Sequence, residues 1–454
     1  MSANDVEQLS LIGDSHLEAG PDNKVRISPK RPSVERDGLA DVFPYYAGFS
    51  YRFAIAELRR SVATDPSTLV LDPWNGSGTT TQAARDLNLR SVGIDLNPVA
   101  NIVAAVRARA SSRDLVDKFT RASTAVEIGQ CHPLSHWLDD ESVLEVQRWI
   151  QAARDLGAQT ENGYQIAMVA IFRAVRKLTK SFQGSNPTWI RRAKSDLDRL
   201  DIRDRVGGLI RSEYDVLRKR LTENSLEHRH HAALATASSA NLPLPDSVVG
   251  ATLTSPPYLT RIDYGVAYSR ELAALGIDIW ADSIRKDLMG TTLTRAGRGS
   301  ARKLGTLAKL LVTSISEHES KASSNYYSNQ AQQYLSDLSL GLDEITRVSR
   351  ESADLTLVVQ DSYYKDVHVR LADICADELM ARGWEVVEIK PFEVRRSLVD
   401  LNTNARAYVK GTVSESVLQL RLAQRRARAD GDRPEAACPG RPAPEAPLEQ
   451  VEKL

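Results

Sequence analysis

The chain has 454 residues, of which 42% are hydrophobic and 26% are charged. That balance is ordinary for a globular protein of two or three domains, at roughly 150 residues each. No run of eighteen apolar residues would cross a membrane, and the start, MSANDVEQLS, lacks the segments of a secretory signal. Three widely spaced cysteines form neither a disulfide framework nor a metal-ligand pattern. We therefore expect a cytoplasmic protein with no membrane contact and no metal site.

The charges balance, with 59 basic and 59 acidic residues, so any case for nucleic-acid binding has to be local. Residues 173–220 contain 14 Lys and Arg against 6 Asp and Glu, and residues 285–309 contain 7 against 1. Clusters of this kind neutralise phosphates. A solvated helix face and an ordinary flexible loop explain the two stretches equally well.

Between a polar arm at residues 1–38 and a Pro- and Arg-rich tail at residues 425–454, apolar runs alternate with helical patterns. Predicted strands are Thr68–Leu71, Ser91–Ile94, Ala232–Thr236, Val248–Leu253, Leu355–Val359, Trp384–Ile389 and Val413–Leu420. Predicted helices are Thr79–Leu87, Tyr334–Ser349 and Val367–Arg382. The alternation predicts an α/β fold with a doubly wound, mostly parallel, Rossmann-like sheet. Residues 112–230 have a helical period and predict a helical insertion.

A glycine-rich loop, Asp72–Thr80, lies between the first predicted strand and the first predicted helix. Its glycines, Gly76 and Gly78, let backbone approach a ligand closely, and the helix start presents free N–H groups. A phosphate-binding P-loop is excluded because its Gly-Lys-Ser/Thr sequence is absent. Asp95 ends the second strand, where an acid can hold both hydroxyls of a ribose or begin the helix at Asn97. These two roles can coexist.

The segment Thr254-Ser255-Pro256-Pro257-Tyr258 follows the fourth predicted strand. Acceptors placed against the N–H bonds of an exocyclic base amine draw its nitrogen toward sp³ geometry and free the lone pair. Ser255 Oγ and the Pro256 carbonyl can be those acceptors, Pro257 stiffens the loop, and Tyr258 can stack on a flipped base. A strand that ends in a Pro-Pro turn with a packed tyrosine is the plainer interpretation.

Together the two loops resemble those of the amino-methyltransferases that act on DNA bases, whose first motif has Phe where this chain has Trp74. The resemblance implies a class I methyltransferase fold, with a cofactor half at 39–111 and a catalytic half at 231–424. It also implies that S-adenosyl-L-methionine is the cofactor. The cofactor-binding residues that it implies are Phe43, in a segment similar to the family's aromatic motif, and Asp72, Pro73, Trp74, Asn75, Gly76, Ser77, Gly78, Thr79, Thr80, Asp95, Asn97 and Ser238.

Two positions depart from the family pattern. Ser238 stands where the family often has an acid near the adenine, and Gly250 stands where an Asp commonly precedes the catalytic strand. The first departure leaves the adenine contact open, whereas the second concerns only the strand.

The implied activity is site-specific methylation of cytosine N4 in DNA, because the family's cytosine-N4 enzymes usually carry Ser at the position of Ser255. Adenine-N6 methylation of DNA, RNA base-amine methylation and a catalytically silent DNA-binding protein stay open. Cytosine-C5 methylation is set aside because Cys131 lies in the helical region without the usual preceding Pro. A dehydrogenase is set aside because Thr81 occupies the third glycine position of its loop.

DNA is the expected partner, and a cognate restriction or defence-system protein is a further candidate. We expect phosphate contacts from a loop that contains Arg295, Arg298, Arg302 and Lys303. Sequence reading is assigned to the insertion, with Trp189, Arg191, Arg192 and Lys194. The recognition sequence, the biological role and the oligomeric state do not follow from these patterns.

Overall fold

The computed structural model of the chain describes residues 17–19, 25–31, 39–45, 48–62, 65–122, 132–184, 189–224, 232–259, 262–295, 304–393 and 413–424. Its helices are α1 (Tyr51–Ser61), α2 (Thr79–Asp86), α3 (Pro98–Ala108), α4 (Asp140–Gly157), α5 (Gly163–Leu178), α6 (Arg203–Glu223), α7 (Tyr264–Ala267), α8 (Ser269–Ala274), α9 (Ile284–Asp287), α10 (Thr306–Glu317), α11 (Ser328–Val348) and α12 (Leu371–Met380). Short 3₁₀ turns lie at Ser112–Asp114, Pro133–His136, Lys180–Phe182 and Asp196–Asp198, and a π turn at Ser323–Tyr327. None of the helices in these ranges is long and apolar enough to cross a membrane.

The strands are β1 (Leu17–Ala19), β2 (Val25–Ile27), β3 (Val70–Asp72), β4 (Ser91–Ile94), β5 (Ala232–Ala235), β6 (Val249–Thr254), β7 (Ser349–Gln360), β8 (Ser362–Tyr364), β9 (Val367–Val369), β10 (Trp384–Glu393) and β11 (Ser414–Leu422). Seven of them form one sheet in the order β10-β11-β7-β6-β3-β4-β5. Its neighbours from β5 to β7 pair in parallel, whereas β11 is antiparallel to both strands beside it. The predicted doubly wound, mostly parallel α/β sheet is confirmed.

The central strands are short and buried along their whole length. Every residue of β3, β4 and β6 is buried, as parallel strands covered by helices on both faces require. Because β3 pairs with β4 on one side and with β6 on the other, the strand order reverses at β3. Ligands of such sheets bind at this switch point, beyond the carboxyl ends of the strands.

The helical insertion packs into the protein instead of standing apart from it. Helices α4, α5 and α6 bury Trp149, Phe172 and Tyr214 in one hydrophobic cluster, which also contains Phe43 and Tyr268. This cluster therefore joins the insertion to the segment before α1 and to α8, which follows the catalytic loop.

Two differences from the sequence prediction concern local structure. The helix expected over Val367–Arg382 begins only at Leu371, because Val367–Val369 pairs with β8 in a hairpin. Lys365 at the turn has a φ of 58°, and this left-handed conformation interrupts a helix. Within the predicted arm, β1 and β2 pair with each other. The predicted tail lies outside the described residues.

Candidate active site

A cavity of about 660 Å³ opens at the carboxyl ends of the parallel strands, at the switch point beside β3. The loops after β3, β4, β5 and β6 contribute to its wall. Most residues singled out in the sequence line it: Asp72, Pro73, Trp74, Asn75, Gly76, Ser77, Thr79, Asp95, Asn97, Ser238, Ser255, Pro256 and Pro257. The predicted cofactor loop and the predicted catalytic loop therefore share one cavity.

Two glycines shape the loop between β3 and α2. Gly76 has a φ of 49°, and a Cβ built on it would meet the Tyr45 ring at 3.0 Å. Gly78 has a φ of 82° and directly precedes α2, and its Cβ would meet the backbone of Ala104 at 2.9 Å. A side chain at either position is therefore strained, and the backbone at Gly76 lies on the cavity surface.

An arginine from α3 supports this loop from behind. Arg107 is buried and donates to the Ser77 side chain at 2.7 Å, to the Ser77 carbonyl at 3.1 Å and to Gln82 at 2.8 Å. These hydrogen bonds fix the loop to two helices at once. The sequence analysis did not single out Arg107, because a basic residue inside an apolar helix carries no motif.

Asp95 reaches the cavity from the end of β4. Its carboxylate accepts hydrogen bonds from the backbone N–H groups of Gly76 and Asn97, both at 2.8 Å. Burial nevertheless raises the pKa of Asp95 to about 6. Each oxygen keeps a second acceptor site, which suits a ligand that brings hydroxyl donors. The Asn97 side chain accepts from the Val99 N–H, so the N-cap residue of α3 is Asn97 and not Asp95.

One hydrogen bond joins the two loops directly. Thr254 Oγ1, the last residue of β6, donates to Asp72 Oδ1 at 2.6 Å. Thr80 on α2 donates to the carbonyl of Leu253 at 3.0 Å. Burial, together with a smaller contribution from the charge of Asp95, raises the pKa of Asp72 to about 6. The carboxyl group of Asp72 is therefore a structural joint between β3 and β6.

The predicted catalytic loop is held by hydrogen bonds of two tyrosines, Tyr258 within the loop and Tyr334 on α11. Ser255 Oγ donates to Tyr258 Oη at 3.4 Å, and Tyr258 Oη donates to Glu415 on β11 at 3.5 Å. Tyr334 on α11 donates to the Pro257 carbonyl at 2.7 Å. The loop is thus fixed by strand β11 through Glu415 and by helix α11 through Tyr334, while Ser255 and Pro256 line the cavity.

Four of the predicted site residues do not line the cavity. Phe43 is 1% exposed and packs on Phe172 and under the Arg176 guanidinium, so its assignment as a cofactor contact is corrected. Gly78 and Thr80 shape the loop but do not reach the surface of the cavity. Tyr258 is 8% exposed and lies behind the wall, which does not support the expected stacking on a base.

Other residues complete the wall without having been predicted for it. Tyr45, two residues after Phe43, lies on the cavity and stacks on Tyr268 at 4.7 Å between ring centroids. Tyr264 lines the wall beyond the catalytic loop, and burial raises its pKa. Further wall residues are Gly48, Phe49, Leu96, Ser239, Ala240, Asp287, Leu288, Met289, Arg295, Ser336, Asp337 and Leu340. The aromatic motif was the available signal for Tyr45, whereas α11 carries no motif.

Arg295 is the member of the predicted DNA-contacting loop that the structure describes. It lies on the cavity wall and pairs with Asp337. Arg298, Arg302 and Lys303 lie outside the described residues.

The residues present fit a nucleoside cofactor with an amino-acid arm. Glycine backbone at 76 leaves the wall free of a side chain, and Asp95 offers acceptor sites where a diol would lie. Trp74 adds a large apolar ring, and its buried Nε1 has no hydrogen-bond partner among the described residues. Ser238 lines the cavity, and its hydroxyl accepts a hydrogen bond from the Ala240 N–H at 3.2 Å.

Comparisons with known proteins agree with this site. Residues 58–104, from the end of α1 to α3, match a family model described as DNA methylase of the N6/N4 type. The Type II methyltransferase M.BsoBI of Geobacillus stearothermophilus is 24% identical over 270 residues, which cover 52% of this chain and 52% of that protein. The chain thus spans about half the length of this curated relative.

Solved structures show weaker likeness. A methyltransferase of Methanosarcina mazei is 9% identical, covers 81% of this chain and 98% of its own, and superposes with a TM-score of 0.31. The rRNA methyltransferase AviRa of Streptomyces viridochromogenes is 12% identical, covers 87% and 97%, and has a TM-score of 0.27. At these scores neither carries an argument about function.

The sheet order, its antiparallel strand β11 and the cavity at the switch point define a class I methyltransferase with a Rossmann-like fold. Within that class, the two sequence matches are to a family model described as DNA methylase and to a Type II methyltransferase, and the chain is similar to both. S-adenosyl-L-methionine is accordingly its cofactor.

Proposed function

We propose that this chain transfers a methyl group from S-adenosylmethionine to the exocyclic N4 of cytosine at specific sites in DNA. The observation that carries the proposal is that Ser255 and Pro256 line the same cavity as Gly76 and Asp95. The hydrogen bond from Thr254 to Asp72 fixes the distance between the two loops. Cofactor and base are therefore held against each other by rigid elements, which is the main demand of an in-line transfer.

Ser255 is oriented to accept a hydrogen bond from the base. Its own hydroxyl proton is directed to Tyr258, so the lone pairs of Oγ are left for an amine donor. The Pro256 carbonyl supplies the second acceptor, and the ring of Pro257 limits its motion. Two aimed acceptors raise the nucleophilicity of the amine, and S-adenosylmethionine supplies the electrophilic methyl group.

Cytosine N4 is favoured over adenine N6 by the residue at position 255. In the family, Asp or Asn at this position usually accompanies adenine, and Ser accompanies cytosine. Ser255 offers a neutral hydroxyl, whose hydrogen-bond partner among the described residues is Tyr258. Adenine-N6 methylation is the second candidate, and the two products differ in nucleoside mass spectra.

A DNA target is supported by a hairpin of the insertion as well as by the family. Residues Gln183 and Ile190 pair in a short antiparallel bridge, after which the chain exposes Arg191, Arg192 and Lys194. Trp189 is 69% exposed, an unusual position for so large an apolar ring. Cations interleaved with an exposed aromatic side chain match the requirements of a nucleic-acid surface. A cognate restriction or defence-system protein stays a proposed partner.

The decisive experiment compares DNA from cells with and without this gene by long-read sequencing and by nucleoside mass spectrometry. We expect N4-methylcytosine at one short sequence in the first sample alone. N6-methyladenine instead would replace cytosine by adenine as the target, and methylated RNA without methylated DNA would move the protein to the RNA enzymes.

Ser255→Ala tests the role of the loop in the purified protein. We expect methyl transfer to fall by roughly 10²-fold or more, because one aimed acceptor is lost. S-adenosylmethionine affinity should change little in the calorimeter. Ser314→Ala, at an exposed serine of α10, is the matched control and should keep full activity. Normal turnover of the Ser255 variant would remove this loop from the mechanism.

A further inference from the structure

An arginine with a largely buried side chain is among the residues that line the cavity. Arg295 lines the same wall as Ser255 and Pro257, and its side chain is 9% exposed. Its guanidinium pairs with Asp337, while Nε is buried without a hydrogen-bond partner among the described residues. A buried N–H donor without a partner costs free energy, so this group is suited to a ligand acceptor.

Helix α11 fixes Arg295 at two points. Gln333 Oε1 accepts from the backbone N–H of Arg295 at 2.8 Å, and Gln333 Nε2 donates to the Leu293 carbonyl at 3.1 Å. Asp337 lies one turn further along the same face of the helix and holds the guanidinium. The position of the guanidinium is thus set before any ligand arrives.

The charges around Arg295 select the kind of ligand. Asp337 offsets the positive charge, and Asp287 adds a second carboxyl group to this wall. A phosphate would gain little from such a balanced pair, because the Asp337 carboxylate would repel it. A neutral group with hydrogen-bond acceptors fits better, because arginine offers donors only.

We propose that Arg295 determines specificity by donating to N3 and O2 of the target cytosine. This inference rests on the proposed function, since it takes the amine to be held at Ser255 and Pro256. Cytosine presents two adjacent acceptors, N3 and O2, directly beside its amine, and a planar guanidinium matches such a pair. In adenine the position beyond N1 is a C–H group, so the second acceptor is missing.

The test uses a DNA duplex that carries the methylated site, with the target cytosine intact or replaced by 3-deazacytosine, which has C–H at N3. For the unaltered protein we expect the replacement to lower kcat/KM by about 10- to 100-fold. Arg295→Met should lower kcat/KM on cytosine by a similar factor. For this variant, replacing cytosine by 3-deazacytosine should lower kcat/KM little further. Arg295→Lys keeps the positive charge but not the paired N–H donors of the guanidinium, so its kcat/KM should be close to that of the Met variant.

Two readouts separate recognition from misfolding. Arg421→Met, at an exposed arginine of β11 that pairs with Asp354, is the matched control and should behave like the unaltered protein. Cofactor affinity should be close to normal in all three variants, and circular dichroism should show that each is folded, although loss of the pair with Asp337 lowers the melting temperature of Arg295→Met.

The outcomes distinguish this inference from the function on which it rests. Suppose that the protein methylates cytosine N4, and that 3-deazacytosine lowers kcat/KM by the same factor for Arg295→Met as for the unaltered protein. Arg295 then does not contact N3, and this inference is overturned while the proposed function stands. A product methylated at adenine N6 would overturn the proposed function and this inference together.

Discussion

Asp95 lies half-buried in the cavity wall, where loss of hydration makes its charge costly. Its pKa of about 6 results from burial, which outweighs the backbone hydrogen bonds that favour the ionised form. The folded protein therefore holds this proton more tightly than the unfolded chain, in which an Asp titrates near ~3.9. The stability contributed by this group is present below about pH 4 and is lost as the pH rises to about 6. A ligand that donates to the carboxylate relieves this cost.

We predict that S-adenosylmethionine binds less tightly as the pH falls below about 6, where Asp95 becomes protonated and loses acceptor sites. The dissociation constant should rise by up to about tenfold per pH unit below that value. Asp95→Asn should bind about 10- to 100-fold less tightly near neutral pH, because a charged acceptor is lost, and should show a weaker pH dependence. Calorimetry across this range measures both effects.

The pKa of Asp72 lies in the same range, so the Asp95→Asn variant also shows which of the two carboxyl groups causes the pH dependence. If the pH dependence of Asp95→Asn equals that of the unaltered protein, the titrating group is Asp72 and the ribose contact lies elsewhere.

At the scale of residues, sequence patterns located the loops better than the side chains. Asp95, Gly76 and Ser255 were predicted for the site and line it, because strand ends and glycines fix the position of the backbone. Phe43 and Tyr258 were predicted for it and do not line it. The direction of an aromatic side chain depends on what packs around it, here Phe172 and Glu415, and this information is distant in sequence.

At the scale of elements, helix α2 depends on the glycine that precedes it. Gly78 combines a left-handed backbone with contact to α3, since a Cβ there would lie 2.8 Å from the Ala104 Cβ. We predict that Gly78→Ala lowers the free energy of unfolding by about 1–3 kcal/mol and weakens cofactor binding, as measured by denaturant unfolding and calorimetry.

Gly208→Ala is the matched control. Gly208 lies in α6, is exposed and has open space where a Cβ would be, so alanine should leave stability unchanged or raise it by up to ~1 kcal/mol. Equal stability of the two variants would contradict the role given to the turn at Gly78.

The order of elements followed from their periodicity, with exceptions that have local causes. Helix α11 begins at Ser328, six residues before its predicted start, since Gln330 and Gln333 bind the segment of Thr291 and Leu293 where an apolar stripe would be expected. Where polar residues on the buried face of a helix make tertiary contacts, the apolar periodicity that predicts a helix is missing. Strand β9 was predicted to be the start of a helix because the turn before it, at Lys365, contains no glycine to indicate a hairpin.

At the scale of the whole molecule, the insertion is anchored where it can meet DNA. Trp137 Nε1 donates to the Arg191 carbonyl at 2.7 Å, and the Arg192 guanidinium lies 4.9 Å from the centre of the Trp280 ring. The exposed hairpin is therefore fixed both to the insertion and to the segment that follows the catalytic loop.

We predict that replacing Arg191, Arg192 and Lys194 together with Ala weakens binding to every DNA sequence. The slope of log K against log salt should flatten by up to ~3 units, because up to three phosphate contacts are lost. Titrations by fluorescence anisotropy at several salt concentrations measure the slope. Replacement of the exposed Lys321, Arg370 and Arg421 removes the same charge from the catalytic half and is the control. If both triple variants flatten the slope equally, the hairpin has no special part in binding.

Helix α11 touches both ends of the cavity. A Cβ on Gly341 would lie 2.6 Å from the Trp74 ring on the cofactor loop, and one turn earlier Asp337 holds Arg295. If the cofactor or the DNA displaced this helix slightly, the binding site of the other ligand would move with it. By thermodynamic linkage, the factor by which cofactor alters affinity for DNA must equal the factor by which DNA alters affinity for cofactor. The spent cofactor, which lacks the methyl group and its positive charge, would then also change how long the modified DNA stays bound.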